Sequence, residues 1–203
     1  QGEGYLPRLK AYREEIGGVQ VLRSRLFPRK SGKKNLVLNY FSFAWWSSKT
    51  ARAIAKDQTY DFDKILVFQY SPVTMAIPGI ILKKKLRKPL FLYSFDLWPE
   101  SIVSAGLPNR GFIYFCTLKL SRWIYRQADL ILTSSKNFRK YFHEKLKIDG
   151  DIRYLPIYAE DLFAAVANDP SETMNLVFAG NIGEMQSMDT IVRAAGYLKD
   201  HPD

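Results

Sequence analysis

The sequence predicts an α/β protein built on a doubly wound parallel sheet. Short apolar, β-rich runs alternate with helical stretches along the chain. Runs such as KILVFQY and DLILT are apolar throughout rather than at every second residue. That pattern is expected where both faces of a sheet are covered. Of the 203 residues, 47% are hydrophobic and 25% charged, which excludes a disordered, collagenous or coiled-coil chain.

In chain order, Val19–Leu22 reads as a strand after the Gly17-Gly18 turn, and residues 35–56 as a long helix. Residues 64–70 form a buried strand stopped by Ser71-Pro72, followed by a helix over 74–85. Residues 65–82 lack any charge, but the Gln-Tyr-Ser-Pro breaker splits them, so they read as strand–turn–helix rather than a membrane span. Residues 89–95 are a strand running into the loop DLWPES. A helix over 111–127, a strand over 129–133, a helix over 137–147 and a strand over 152–157 follow. Residues 161–173 are polar and read as a linker; Asn175–Ala179 is the next strand and residues 188–199 the last helix.

The formal charge of +10 is unevenly spread. Residues 1–160 hold 28 Lys+Arg and 13 Asp+Glu, or +15, whereas residues 161–203 hold 2 and 7, or −5. The change of sign places two units side by side near residue 160: a first domain over 1–160, a linker over 161–174, and the start of a second domain over 175–203. A single cysteine, Cys116, excludes an internal disulfide framework and a cysteine-built zinc site; it lies in an apolar helix and reads as core. His143 lies in a charged amphipathic helix and reads as surface. The chain opens Gln-Gly-Glu without methionine or an apolar leader, so its native N-terminus is expected to have been lost or removed.

Ligands of open α/β sheets bind beyond the carboxyl ends of the strands. The richest such position is Asp96–Ser101, which sets Asp96, Trp98, Glu100 and Ser101 on one loop, with Ser71 after the preceding strand. Carboxylates accept sugar hydroxyls, an indole stacks on a sugar ring, and Asp96 could orient or deprotonate an acceptor hydroxyl. The same spacing fits a capping Asp and Ser over a packed Trp. Gly180-Asn181-Ile182-Gly183 follows a strand; it could bring backbone N–H groups to a phosphate, or form a plain tight turn. Asp61-Phe62-Asp63 and Asp149-Gly150-Asp151 precede their strands, so they read as turn residues, and no bound metal is expected.

The helix over 35–56 carries five aromatic residues, Trp45 and Trp46 among them, behind the basic Arg29, Lys30, Lys33 and Lys34. Aromatic–aliphatic faces beside Lys/Arg are what interfacial helices use, so the helix is expected to be partly buried with an edge facing an anionic membrane surface; a core helix behind a solvated basic loop fits the same residues. The pI of 9.6 alone could suggest nucleic acid, but no nucleic-acid motif accompanies it and none is expected as partner.

Three stretches, PLFLYSFDLWPESIVSAGL, LSRWIYRQADLILTSS and NLVFAGNIGEMQSMDTIVRAA, resemble GT-B glycosyltransferases of family 4, of the bacterial capsule and O-antigen type. LNYFSFA is similar to a helix of the same group. The resemblance implies a Rossmann-like acceptor domain lacking its first strand, plus the first β-α unit of a nucleotide-sugar domain. It implies retaining, metal-independent transfer from a nucleotide-sugar, commonly a UDP-sugar, to a lipid-linked or polysaccharide acceptor, on the cytoplasmic face of the cell membrane. Asp96 takes the catalytic or orienting position; Trp98, Glu100 and Ser101 the acceptor cleft; Gly180, Asn181, Ile182 and Gly183 the donor diphosphate loop. Asn181 and Gln186 stand where many members carry Arg and Lys. A fragment inactive by itself, or a non-catalytic acceptor-binding subunit that needs a donor-domain partner, fits the same residues.

Overall fold

The computed structural model describes residues 12–29, 31–104, 106–159, 176–180, 182 and 186–198. The chain divides into two compact units, residues 1–157 and 158–203. The expected linker over 161–174 lies outside the described residues.

The first unit opens with an antiparallel hairpin, β1 (Tyr12–Ile16) and β2 (Val19–Arg23). Gly17 and Gly18 turn between them with φ of 56° and 78°, the left-handed pair that a two-residue hairpin loop requires. The following segment is strapped along α1 (Lys33–Ile54): the Phe27 amide donates to Ser42 Oγ at 2.8 Å, and Asn39 Nδ2 donates to Phe27 O at 2.6 Å.

Four parallel strands follow in chain order across one sheet: β3 (Ile65–Gln69), β4 (Leu90–Ser94), β5 (Leu130–Thr133) and β6 (Ile152–Tyr154). A 3-10 turn (Val73–Ala76) and α2 (Ile77–Leu86) join β3 to β4. The short α3 (Glu100–Ser104) and α4 (Phe112–Tyr125) join β4 to β5, and α5 (Phe138–Glu144) joins β5 to β6. Strands in sequence order with crossovers of one hand place all these helices on one face. Ile65, Leu90, Leu92, Ile131 and Ile152 point to that face and form the core with Ile80 of α2, Ile124 and Tyr125 of α4 and Phe142 of α5. A Cβ on Gly79 would lie 2.6 Å from Val67 Cγ2, so glycine lets α2 sit this close to β3.

The parallel α/β architecture is the expected one. The helices that would cover the second face of a doubly wound sheet are not among the described residues. On that face Leu66, Phe68 and Tyr70 are exposed; the rings of Tyr70 and Phe68 stack on Phe95, and Tyr93 packs against Phe68 and Phe95 at a tilt. The strands are therefore apolar throughout because the open face is aromatic, while the other face is core. Residues 65–82 form the strand, 3-10 turn and helix expected of them, and among the described residues no helix is long and apolar enough to cross a membrane.

Some boundaries differ from expectation. β6 ends at Tyr154 rather than at Ile157, although the Leu155 amide still donates to Thr133 O at 2.9 Å. Cys116 is exposed rather than core, since α4 turns its 112–116–120–123 side to solvent. His143 is half-buried, with Nδ1 3.0 Å from Asp149 Oδ1. In the second unit, Leu176–Ala179 join no ladder, although the segment Asn175–Ala179 reads as a strand; Asn175 lies outside the described residues. An extended segment becomes a strand only with a partner, and none is described in that unit. Its helix, α6 (Met188–Leu198), carries an Asp189–Arg193 ion pair at i,i+4 spacing.

Candidate functional site

The carboxyl ends of β3, β4 and β5 meet in one polar cluster. Its base is Gln69, the last residue of β3, fully buried. The Gln69 amide oxygen lies 2.9 Å from Ser94 Oγ at the end of β4 and 2.9 Å from the Tyr125 hydroxyl at the end of α4. Both hydroxyls also reach the main-chain oxygen of Asp96, at 3.1 and 3.3 Å. Gln69 Nε2 donates to Tyr70 O. Burial raises the Tyr125 pKa far above its ordinary value, so the phenol stays a neutral donor.

On this base sits the Asp96–Ser101 loop, whose Trp98–Pro99 bond is cis, as is Ser71–Pro72. Asp96 is half-buried. Ser101 Oγ lies 2.5 Å from Asp96 Oδ1 and 2.7 Å from Leu97 O, and its single proton serves one of them at a time. Trp98 is only 8% exposed and donates its indole N–H to Ser71 Oγ at 3.1 Å. Glu100 Oε1 accepts from the Tyr114 and Tyr141 hydroxyls at 2.8 and 3.1 Å, and Lys145 Nζ is 4.0 Å away. Tyr141 is held far above the ordinary phenol range, first by burial and then by the Glu100 charge. The hydrogen bond to Tyr114 keeps Lys145 above its usual value.

The structure thus brings Ser71, Asp96, Trp98, Glu100 and Ser101 together, with unequal availability. Trp98 is packed and its N–H engaged, so its ring is part of the loop's interior rather than a free stacking face. Glu100 faces two phenols and an ammonium, and Ser101 closes back on Asp96. Among the described residues Asp96 has one side-chain partner, and it is the group best placed to meet a ligand hydroxyl.

Sequence reasoning did not place Gln69, Ser94 or Tyr125 in the site. A signal existed for the first two: each is a polar residue on the helix-facing side of an apolar strand, at its carboxyl end. Tyr125 comes from 56 positions beyond Gln69 and carries no local signal.

Of the expected phosphate loop, Gly180 and Ile182 are described, Ile182 being exposed; Asn181 and Gly183 lie outside the described residues. The Asp-x-Asp pairs lie at the amino ends of their strands, where Asp151 pairs with Arg153 at 2.6 Å and Asp63 lies 3.9 Å from Lys88. Among the described residues no three His, Cys, Asp or Glu side chains gather as a metal set. On α1, Trp45 is 63% exposed, whereas Trp46 is half-buried between Arg25 and Lys49. Arg29 and Lys34 are exposed; Lys30 lies outside the described residues, as does the side chain of Lys33. A groove of about 540 Å³ runs beside Trp45, lined by Phe27, Leu38, Phe41 and Ile77 among others.

A scan against protein-family models gives no match, and neither does a search of curated proteins.

Proposed function

We propose that the first unit is the acceptor-binding half of a GT-B-type glycosyltransferase, with its sheet doubly wound in the whole protein. It would pass a sugar from a nucleotide-sugar, a UDP-sugar by the sequence resemblance, to a lipid-linked or polysaccharide acceptor of surface glycan. The observation that carries this reading is Asp96. A half-buried carboxylate stands at a strand's carboxyl end, where open α/β sheets bind ligands, and a buried polar base fixes its main chain. In the reaction Asp96 accepts a hydrogen bond from the acceptor hydroxyl and aims that oxygen at the anomeric carbon. The acceptor C–O bond forms on the face from which the nucleoside diphosphate departs, the glycosidic phosphate bond breaks, and the hydroxyl proton leaves with the diphosphate oxygen. By the sequence resemblance, the 180–183 segment would take the diphosphate of a nucleotide-sugar.

The test is sugar transfer by the full-length protein, across UDP-sugars and polyprenyl-phosphate-linked acceptors, with Asp96→Asn and Asp96→Ala. Loss of the group that aims the acceptor oxygen costs about 10²-fold in turnover. Donor binding by calorimetry should be unchanged. Transfer that is unaffected by either substitution overturns the assignment. A second reading, a non-catalytic acceptor-binding module, is favoured by the internal pairing of Trp98, Glu100 and Ser101. Acceptor binding without turnover by the full-length protein would select it.

A further inference from the structure

Three helices of the first unit carry charge of one sign, whereas α3 and α5 carry Glu100 and Glu144. α1, α2 and α4 bear four, three and two Lys/Arg and no Asp or Glu. The described acids of the first unit lie outside these three helices: Glu14 and Glu15 in the hairpin, Asp57, Asp61 and Asp63 between α1 and β3, Asp96, Glu100 and Asp129 beside the strand ends, and Glu144, Asp149 and Asp151 around α5 and β6. A merely solvated helix surface interleaves both signs.

The same helices expose large apolar side chains. On α1, Val37, Leu38, Phe41 and Trp45 follow helical spacing along one stripe, all at least half exposed or nearly so. On α4, Phe112 is 82% exposed, and Ile113, Phe115, Leu120 and Trp123 are exposed with it. Cations lie over these rings: Lys49 Nζ is 5.3 Å from the Trp45 centroid, Lys119 4.5 Å from Phe115, and Lys84 5.7 Å from Trp123. The Lys84–Trp123 contact joins α2 to α4, α1 packs on α2, and Ile77 at the start of α2 lines the α1 groove. The surface is continuous from α1 to α4.

Its chemistry selects among covers. A second copy would bring two acid-free cationic layers together. A single-stranded nucleic acid uses rings in a basic groove, but here Val37, Leu38, Ile113 and Leu120 stand among the rings, and aliphatic chains suit acyl chains better than bases. Apolar and aromatic stripes edged by lysine are the composition of a helix lying in a lipid interface. We propose that α1, α2 and α4 together form a face that seats on an anionic lipid surface. Phe41 and Trp45 of α1 and Phe112, Phe115 and Trp123 of α4 enter the boundary between headgroups and acyl chains, and the lysines meet lipid phosphates. The proposal goes beyond sugar transfer and stands without it.

The test is co-sedimentation of the full chain with vesicles of phosphatidylcholine alone, and with about one-third of it replaced by phosphatidylglycerol. Binding is expected only to the anionic vesicles, weakening about tenfold or more from low to high salt. Phe112→Ser with Phe115→Ser, and separately Phe41→Ser with Trp45→Ser, should each weaken it about five- to tenfold, with circular dichroism unchanged. Should either pair fail to fold, brominated lipid in the anionic vesicles replaces it. Tryptophan fluorescence should be quenched in the wild-type chain and still quenched in Trp45→Phe, and the further change Trp123→Phe should reduce the quenching that remains. The proposal is overturned by absence of binding to anionic vesicles, or by binding that the α4 pair leaves untouched. Absence of quenching in Trp45→Phe, preference for an oligonucleotide over vesicles, or a dimer that the same substitutions dissolve would overturn it equally.

Discussion

Removing both hydroxyls that face Gln69 should destabilise the protein by more than the two removals taken singly. The Gln69 amide oxygen and the Asp96 carbonyl share two donors, Ser94 Oγ and the Tyr125 hydroxyl, at 2.9 to 3.3 Å. With Ser94→Ala or Tyr125→Phe, the surviving hydroxyl turns to Gln69, and the acceptor left over is the carbonyl of Asp96, a half-buried residue that water can approach. Each single change therefore costs about 1 kcal/mol, the ordinary net worth of one hydrogen bond. With both hydroxyls gone, a fully buried amide oxygen has no donor, which adds about 1–3 kcal/mol of uncompensated desolvation. The double variant should fall about 3–5 kcal/mol below wild type, a coupling of about 1–3 kcal/mol. Urea unfolding at neutral pH, followed by far-UV circular dichroism, measures all four corners of the cycle. Adding Gln69→Leu to the double variant should recover part of the loss, because it removes the orphaned oxygen. Additivity within about 0.5 kcal/mol would show that the three side chains do not act as a unit, and the reasoning would fail.

Gly79→Ala should destabilise by about 1 kcal/mol: its Cβ meets Val67 Cγ2 at 2.6 Å on a side chain stiff at χ1, which outweighs the gain of about 1 kcal/mol in helix propensity. Combined with Val67→Ala it should cost less than the sum of the two, and additive unfolding energies would refute the clash. Asp129 bonds Lys83 Nζ and the Leu90 amide at 2.7 Å each; burial opposes its ionisation, yet these bonds hold its pKa below the ordinary value. A depressed carboxyl pKa stabilises the fold above the unfolded value, about pH 4, and that contribution is lost as pH falls through the lower folded value. Asp129→Asn should therefore flatten the fall in melting temperature on the acid side, and parallel curves for the two chains would show that the group contributes nothing there.

The strands of the main sheet were legible because apolar runs bounded by Gly, Pro and Ser leave few other readings; β3, β4 and β5 fall within a residue or two of expectation. β1 was not, since YREEI is charged and gains its order from pairing, with Arg23 on Glu14 across the hairpin. Leu176–Ala179 show the converse: strong strand composition, with no partner among the described residues, gives no ladder there. Helix composition placed Cys116 on an apolar helix but said nothing of which side faces water. At the site, the residue types of Asp96–Ser101 were legible and their directions were not. Trp98 could stack on a ligand or pack inward, and only the position of Ser71, 27 residues earlier, decides that its N–H is taken.

That inward packing changes what the loop's polar residues are for. A carboxylate that must meet a hydroxyl within about 0.5 Å of a productive position is useful only if its support is rigid. Here the support is explicit: Ser101 holds Asp96 Oδ1, Ser94 and Tyr125 reach its carbonyl, Trp98 is pinned to Ser71, and Glu100 ties the following turn to α4 and α5 through Tyr114 and Tyr141. In the proposed reaction Trp98, Glu100 and Ser101 would therefore act through Asp96, as positioning residues. If Asp96 orients an acceptor, loosening its support should lower turnover more than it weakens ligand binding, because misplacement affects the reacting geometry first. Were these residues direct ligands instead, their loss would appear first as weaker binding.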